Sequence, residues 1–278
     1  MPDSNAAGSE RPRIELIADE EHPGGTMLVM DSVRQSYVDI DDPTYLDFEY
    51  IQFFASVLAS WRDGQLAVTH VGGGALTMPR YLAVTRPGSP QIVLEPDAEL
   101  TEVVRSRLPL PRHHRIRVRP LSGRAGIAQL ADHSADLIIL DAYADGRVPA
   151  DLTTLEFFAE VRRVLREDGM LLANLVDEPD LRYLRRVVAG LRGVFSDVTL
   201  VSSNDVLKGR RFGNLVLAAT LSTPLDLDAL RTEIVRQPFP AGVRDHAQLA
   251  TSGRGAKPFT DSESAESPEP NRAGWRIR

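Results

Sequence analysis

The sequence contains no cysteine, which excludes disulfides, thiolate-bound metal and a cysteine nucleophile together. No stretch approaches the roughly 20 apolar residues that a membrane-spanning helix needs. The opening residues, 1–13, are small and polar and lack the apolar core of a secretory signal. Positive charge is in the minority, since 32 Lys and Arg stand against 39 Asp and Glu for a net charge of −7. A general nucleic-acid binder needs a basic face to displace counterions, and an anionic membrane makes the same demand, so neither partner is expected. No G-x-S-x-G elbow is present for a serine nucleophile. No His-x-x-x-His pair or carboxylate cluster stands at ligand spacing, so no metal is expected either. What remains is an acidic protein, expected to be soluble and cytoplasmic.

The 278 residues, 42% hydrophobic and 26% charged, suffice for one large α/β domain with a small appendage. Residues 1–13 and 244–278 are polar, Pro/Ser/Gly-rich segments expected to be disordered, with Trp275 and Ile277 stranded without periodic partners. Cutting the chain after Val243 should then cost no stability. Residues 14–45 read as a small β-hairpin domain. The short runs Ile14–Ile17 and Met27–Met30 flank the turn His22-Pro23-Gly24-Gly25, and the β-branched stretch Val33–Ile40 follows.

Over residues 46–243 the period changes. Tyr50, Phe53, Phe54, Val57, Leu58 and Trp61 fall on one face of a helix. Strands at Leu66–Val71, Gln91–Glu95, Ile116–Arg119, Asp136–Leu140 and Met170–Leu175 then alternate with helices. One of these helices is announced by a capping box, Thr153-x-x-Glu156, and stopped by Gly169. Such alternation means parallel βαβ units. Val198–Val201 and Asn214–Thr220 have no helical pattern between them and must pair antiparallel. The expected fold is α/β: a Rossmann-like, S-adenosylmethionine-dependent methyltransferase fold. Its mostly parallel seven-stranded sheet ends in an antiparallel hairpin and is preceded by the N-terminal β-domain.

In open α/β sheets ligands bind beyond the carboxyl ends of the strands. Gly72, Gly73 and Gly74 follow the first strand and permit close backbone approach. Glu95 ends the second strand, at the distance past the glycines where a carboxylate reaches both hydroxyls of a ribose. Asp141 follows the apolar Leu137-Ile138-Ile139-Leu140. It could orient or deprotonate an amine, pair with a cation, or cap its own loop. His70 reads as a core or supporting residue, and the adjacent His113-His114 do not converge on a metal.

These residues resemble the spermidine synthase family, the polyamine aminopropyltransferases, over about residues 33–220. The fragments that carry the resemblance are Gln35-Ser36, Tyr50, Gly72-Gly73-Gly74 with Arg80, Glu95-x-Asp97, Ser122-Gly123, Asp141 and Thr154-x-Glu156-Phe157-Phe158, all in family order. The resemblance implies an adenosyl-sulfonium co-substrate, decarboxylated S-adenosylmethionine or S-adenosylmethionine, and an amine acceptor. It also implies a homodimer or larger homo-oligomer. Gln35, the three glycines, Glu95, Ser122 and Gly123 would hold the nucleoside. Asp141 would be catalytic, and Tyr50, Tyr143 and Asp145 would face the acceptor. Methyl transfer to a small molecule, or nucleoside binding without catalysis, are the alternatives. The departures fall on the amine side. Ala75 and Ala144 stand where the family has aspartates, and Ile51-Gln52 where it has His-Glu. An aspartate restored at Ala75 would be expected to favour putrescine.

Overall fold

The structure, a computed structural model, describes residues 13–270. The sequence expectations for residues 1–12, and for Trp275 and Ile277, fall outside the described residues. Three strands, β1 (Ile14–Ala18), β2 (Gly25–Met30) and β3 (Val33–Asp39), form an antiparallel meander at the N-terminus. Helix α1 (Glu49–Ala59) leads into the main sheet and buries Phe53, Phe54, Val57 and Leu58, the stripe its 3.6-residue period predicts.

The alternating units follow in order. They are β4 (Val68–Val71), α2 (Thr77–Thr85), β5 (Gln91–Leu94), α3 (Ala98–Arg107), β6 (Ile116–Arg119), α4 (Gly123–Ala128) and β7 (Ala135–Leu140). Then come α5 (Leu155–Val164), β8 (Leu165–Asp177), α6 (Arg182–Val194), β9 (Asp197–Ser203), α7 (Asn204–Leu207) and β10 (Gly213–Thr220). The chain continues through α8 (Leu227–Val235), β11 (Ala241–Arg244) and α9 (His246–Ser252). The sheet order is β11-β9-β10-β8-β7-β4-β5-β6. Strands β6, β5, β4, β7 and β8 are parallel, and β10, β9 and β11 are antiparallel to their neighbours. Chain order reverses between β4 and β7, which opens the crevice where α/β sheets bind ligands.

Two apolar layers sandwich this sheet. One joins α1 and α8 to inward residues such as Val68, Leu137 and Met170; the other joins α5, α6 and α9 to Val71, Ile138 and Leu171. A third cluster, including Leu28, Val38, Ala75, Leu76, Val93 and Leu100, seats the meander over β5.

The fold class holds, but four local expectations need correction. The sheet has eight strands, because β11 adds an edge by pairing with β9. The β9–β10 connection contains the one-turn helix α7. Helix α5 ends at Val164, ahead of Gly169, and the chain passes straight into β8. Its cap is Thr154, whose hydroxyl accepts the Phe157 N–H at 3.2 Å, whereas Thr153 is buried against the Tyr183 hydroxyl at 3.2 Å.

The segment after residue 243 is a larger correction. Residues 244–270 are folded onto the domain: Arg244 belongs to β11, Leu249 is 2% exposed and Phe259 3%. Few apolar residues are needed when each is fully enclosed and the surrounding charges are paired. Ending the chain after Val243 is therefore expected to lower the melting temperature by at least several degrees. Loss of a buried side chain of this size costs about 2–5 kcal/mol, and an unchanged melt would show that the segment contributes nothing.

Candidate active site

Sheet register brings the distant pieces of the site together. Val71 at the end of β4 lies level with Leu94 of β5 and Leu140 of β7. The residues that follow are tied across the same edge. Gly72 N–H donates to the Leu94 carbonyl at 3.0 Å, and Asp141 N–H donates to the Val71 carbonyl at 2.9 Å. A cavity of about 810 Å³ opens there. It is lined by every candidate the sequence singled out: Gln35, Tyr50, Gly72, Gly73, Gly74, Glu95, Ser122, Gly123, Asp141, Tyr143 and Asp145.

On the β5 side of β4 the glycine loop and Glu95 form a unit. Gly72 has φ +99°, and a Cβ there would stand 2.1 Å from the Asp141 carbonyl oxygen. Gly73 N–H donates to Glu95 Oε2 at 2.9 Å, and Asp97 N–H donates to Oε1 at 2.9 Å. Each carboxylate oxygen thus has one backbone donor and keeps acceptor capacity toward the cavity. Asp97 itself caps α3 through the Leu100 N–H. Gln35 comes from β3, whose neighbour Ser36 is tied to Thr77 at the start of α2 by a 2.8 Å hydroxyl pair. Ser122 caps α4, and Gly123 is packed so closely that a Cβ would meet Val71 at 2.3 Å.

Asp141 lies on the other side of β4, beyond the end of β7. Tyr50 donates its hydroxyl to Asp141 Oδ2 at 3.1 Å, and Asn174 Nδ2 donates to Oδ1 at 3.0 Å. Asn214 Nδ2 in turn donates to Asn174 Oδ1 at 3.0 Å. The chain Asn214–Asn174–Asp141–Tyr50 therefore fixes the carboxylate from β10, β8 and α1 at once. Burial pushes the Asp141 carboxyl up to about 6, against the opposing pull of the Asn174 and Tyr50 hydrogen bonds. Burial also raises the phenols of Tyr50 and Tyr143, with the Asp141 charge adding to the effect. At neutral pH Asp141 is an ionised, partly desolvated acceptor of hydrogen bonds and protons.

Asn174 and Asn214 are the residues sequence reading missed. Each is the polar exception in an apolar strand, MLLANLV and GNLVLAAT, and that interruption was the available signal. His70 is buried, paired through Nε2 with Gln91 Oε1 at 2.8 Å, and burial lowers its pKa to about 4, so it stays neutral. Ala75 does not face the cavity. It is fully buried in the apolar cluster beneath the meander, and its carbonyl accepts from Arg80 Nε at 3.1 Å. Ala144 pairs with Arg147 to close a tight turn whose tip holds Asp145 (φ +52°) and Gly146 (φ +79°).

A mixed sheet with a switch-point crevice and a glycine loop at its edge defines an α/β domain of class I methyltransferase-like fold. Human methyltransferase-like protein 13, solved with SAH, shares that fold at 20% identity and TM-score 0.55, over 78% of this chain and 97% of that one. No protein-family model matches the sequence. A probable spermidine synthase from Corynebacterium glutamicum is 31% identical, with TM-score 0.83, covering 94% of this chain and 97% of that one. The polyamine aminopropyltransferase of Vibrio vulnificus is 25% identical over 73% of this chain and 68% of its own length. The chain belongs to the spermidine synthase family of polyamine aminopropyltransferases, as a distant member.

Proposed function

We propose that the protein transfers an aminopropyl-type group from an adenosyl-sulfonium co-substrate to an amine. The co-substrate would be decarboxylated S-adenosylmethionine or S-adenosylmethionine itself. One observation carries this reading: two carboxylates, Glu95 held by the Gly73 and Asp97 N–H groups and Asp141 held by Tyr50 and Asn174, line one cavity on either side of β4. The nucleoside would lie along Gly72–Gly74, Gln35, Ser122 and Gly123. Tyr50 and Tyr143 would wall the acceptor side.

In the reaction the amine nitrogen attacks the methylene carbon bonded to the sulfonium. The C–S bond breaks, its electron pair returns to sulfur, and neutral methylthioadenosine leaves. The proton shed by the new ammonium passes to ionised Asp141, held in line by Tyr50 and Asn174. Mass spectrometry of ligand retained by the purified protein tests the reading. An adenosyl thioether or sulfonium is expected, and a retained dinucleotide would oppose it.

Methyl transfer is the second reading, favoured by the absence of a carboxylate at Ala144, which lines the cavity. Because Ala75 lies in an apolar cluster, Ala75→Asp should not create a diamine site. It is expected to destabilise the fold by roughly 2 kcal/mol or more, the cost of a buried unpaired polar group, without improving putrescine turnover. A gain in putrescine turnover would show that position 75 reaches the acceptor.

A further inference from the structure

The C-terminal segment runs back over the loop that carries Asp141. Phe259 packs against Tyr183 and under the Arg186 guanidinium, 4.1 Å from the ring centre, and its carbonyl accepts the Leu155 N–H at 2.8 Å. Asp261 accepts from the Thr154 hydroxyl at 2.7 Å and from Arg124 at 2.5 Å. Ser267 and Val148 exchange two hydrogen bonds. Val148 N–H donates to the serine hydroxyl at 2.9 Å, and Ser267 N–H donates to the Val148 carbonyl at 3.2 Å. Arg147 is held by Glu269 at 2.7 Å and Glu266 at 3.3 Å. Pro270 is buried, lies 3.1 Å from where a Cβ on Gly146 would stand, and lines the same cavity.

The loop is thus gripped from outside at its tip, residues 146–148, and at its foot, residues 154–156. Its inner side presents Asp141, Tyr143, Asp145, Pro149 and Leu152 to the cavity. We propose that residues 258–270 form a strap holding this loop in its ligand-binding position, with Arg147 as the positioning residue that couples strap to site. The consequence for ligand affinity rests on the nucleoside reading above; the consequence for the loop does not.

The grip on Arg147 is ionic and half-exposed, with side-chain exposures of 36% for Arg147, 51% for Glu266 and 52% for Glu269. Salt therefore loosens it. Methylthioadenosine is uncharged at neutral pH, so any salt dependence of its binding reports on the protein rather than on the ligand.

The test is calorimetric titration of the full chain with methylthioadenosine at about 0.1 and about 1 M salt, where the screening length falls from roughly 10 to 3 Å. Wild-type affinity is expected to fall about threefold or more. Arg147→Gln should show that loss already at low salt and respond little to more. The charge exchange Arg147→Glu with Glu269→Arg should restore both affinity and salt response. Amide hydrogen exchange of the free protein gives a readout without ligand: Arg147→Gln should speed exchange over residues 142–149 and leave β4 and β7 unchanged. Unchanged affinity and salt response in Arg147→Gln would overturn the proposal, as would exchange accelerated evenly across the domain. If wild type binds no methylthioadenosine, the nucleoside reading fails, and unaltered exchange over 142–149 would then overturn the strap by itself.

Discussion

Asp141→Asn is expected to lower kcat by about 10² or more, the size of loss that follows removal of a general base. Nucleoside affinity should change little, because Glu95 is held by the Gly73 and Asp97 N–H groups and shares no hydrogen-bond partner with Asp141. The asparagine fits only with its amide oxygen toward Asn174 Nδ2, which turns its NH2 to the Tyr50 hydroxyl, and that hydroxyl can rotate to accept. The shape survives and the base is lost. The pH profile sharpens the point. With a carboxyl pushed up to about 6, the protonated form below that pH cannot take the amine's proton, so wild-type kcat should rise with pH through about 6. In Asp141→Asn that rise should vanish. Equal loss of binding and turnover would make Asp141 a structural cap instead.

Glu95→Gln is expected to weaken methylthioadenosine by about 1.5–3 kcal/mol, or roughly 10- to 100-fold. Two effects act together. The side chain loses charge-assisted acceptance from the ribose, and its new NH2 must face one of two backbone donors, Gly73 N–H or Asp97 N–H. The second effect disturbs the glycine loop and the start of α3, so some of the loss should appear as faster exchange of the Gly73 amide. Calorimetry showing unchanged affinity would remove Glu95 from the nucleoside site.

Much of this geometry was legible because it depends on period and on strand ends. The i, i+3, i+4 spacing of Tyr50, Phe53, Phe54 and Val57 reports a buried helix face regardless of what covers it. Gly72, Glu95 and Asp141 each follow a buried strand, and a parallel sheet aligns such ends at one edge. Asn174 and Asn214 were not legible as a pair, since only the antiparallel register of β8 and β10 brings them together. Thr153 and Thr154 are chemically equivalent, and only the local backbone decides which one caps α5. The C-terminal segment misleads for a different reason. Its composition is that of a solvated tail, yet its acidic residues meet Arg124, Arg147 and Arg186 on the domain, and one aromatic, Phe259, anchors it. Pairing across long sequence separation leaves no periodic trace.

The proposed reaction moves an aminopropyl-type group from an adenosyl-sulfonium donor to an amine. Its most direct test is methylthioadenosine release from decarboxylated S-adenosylmethionine across a panel of mono- and diamines, with product masses read from the same reaction. Release should depend on amine, match the aminopropylated product one for one, and collapse in Asp141→Asn. Release from no amine in the panel, or a methylated product formed from S-adenosylmethionine, would contradict the proposed reaction.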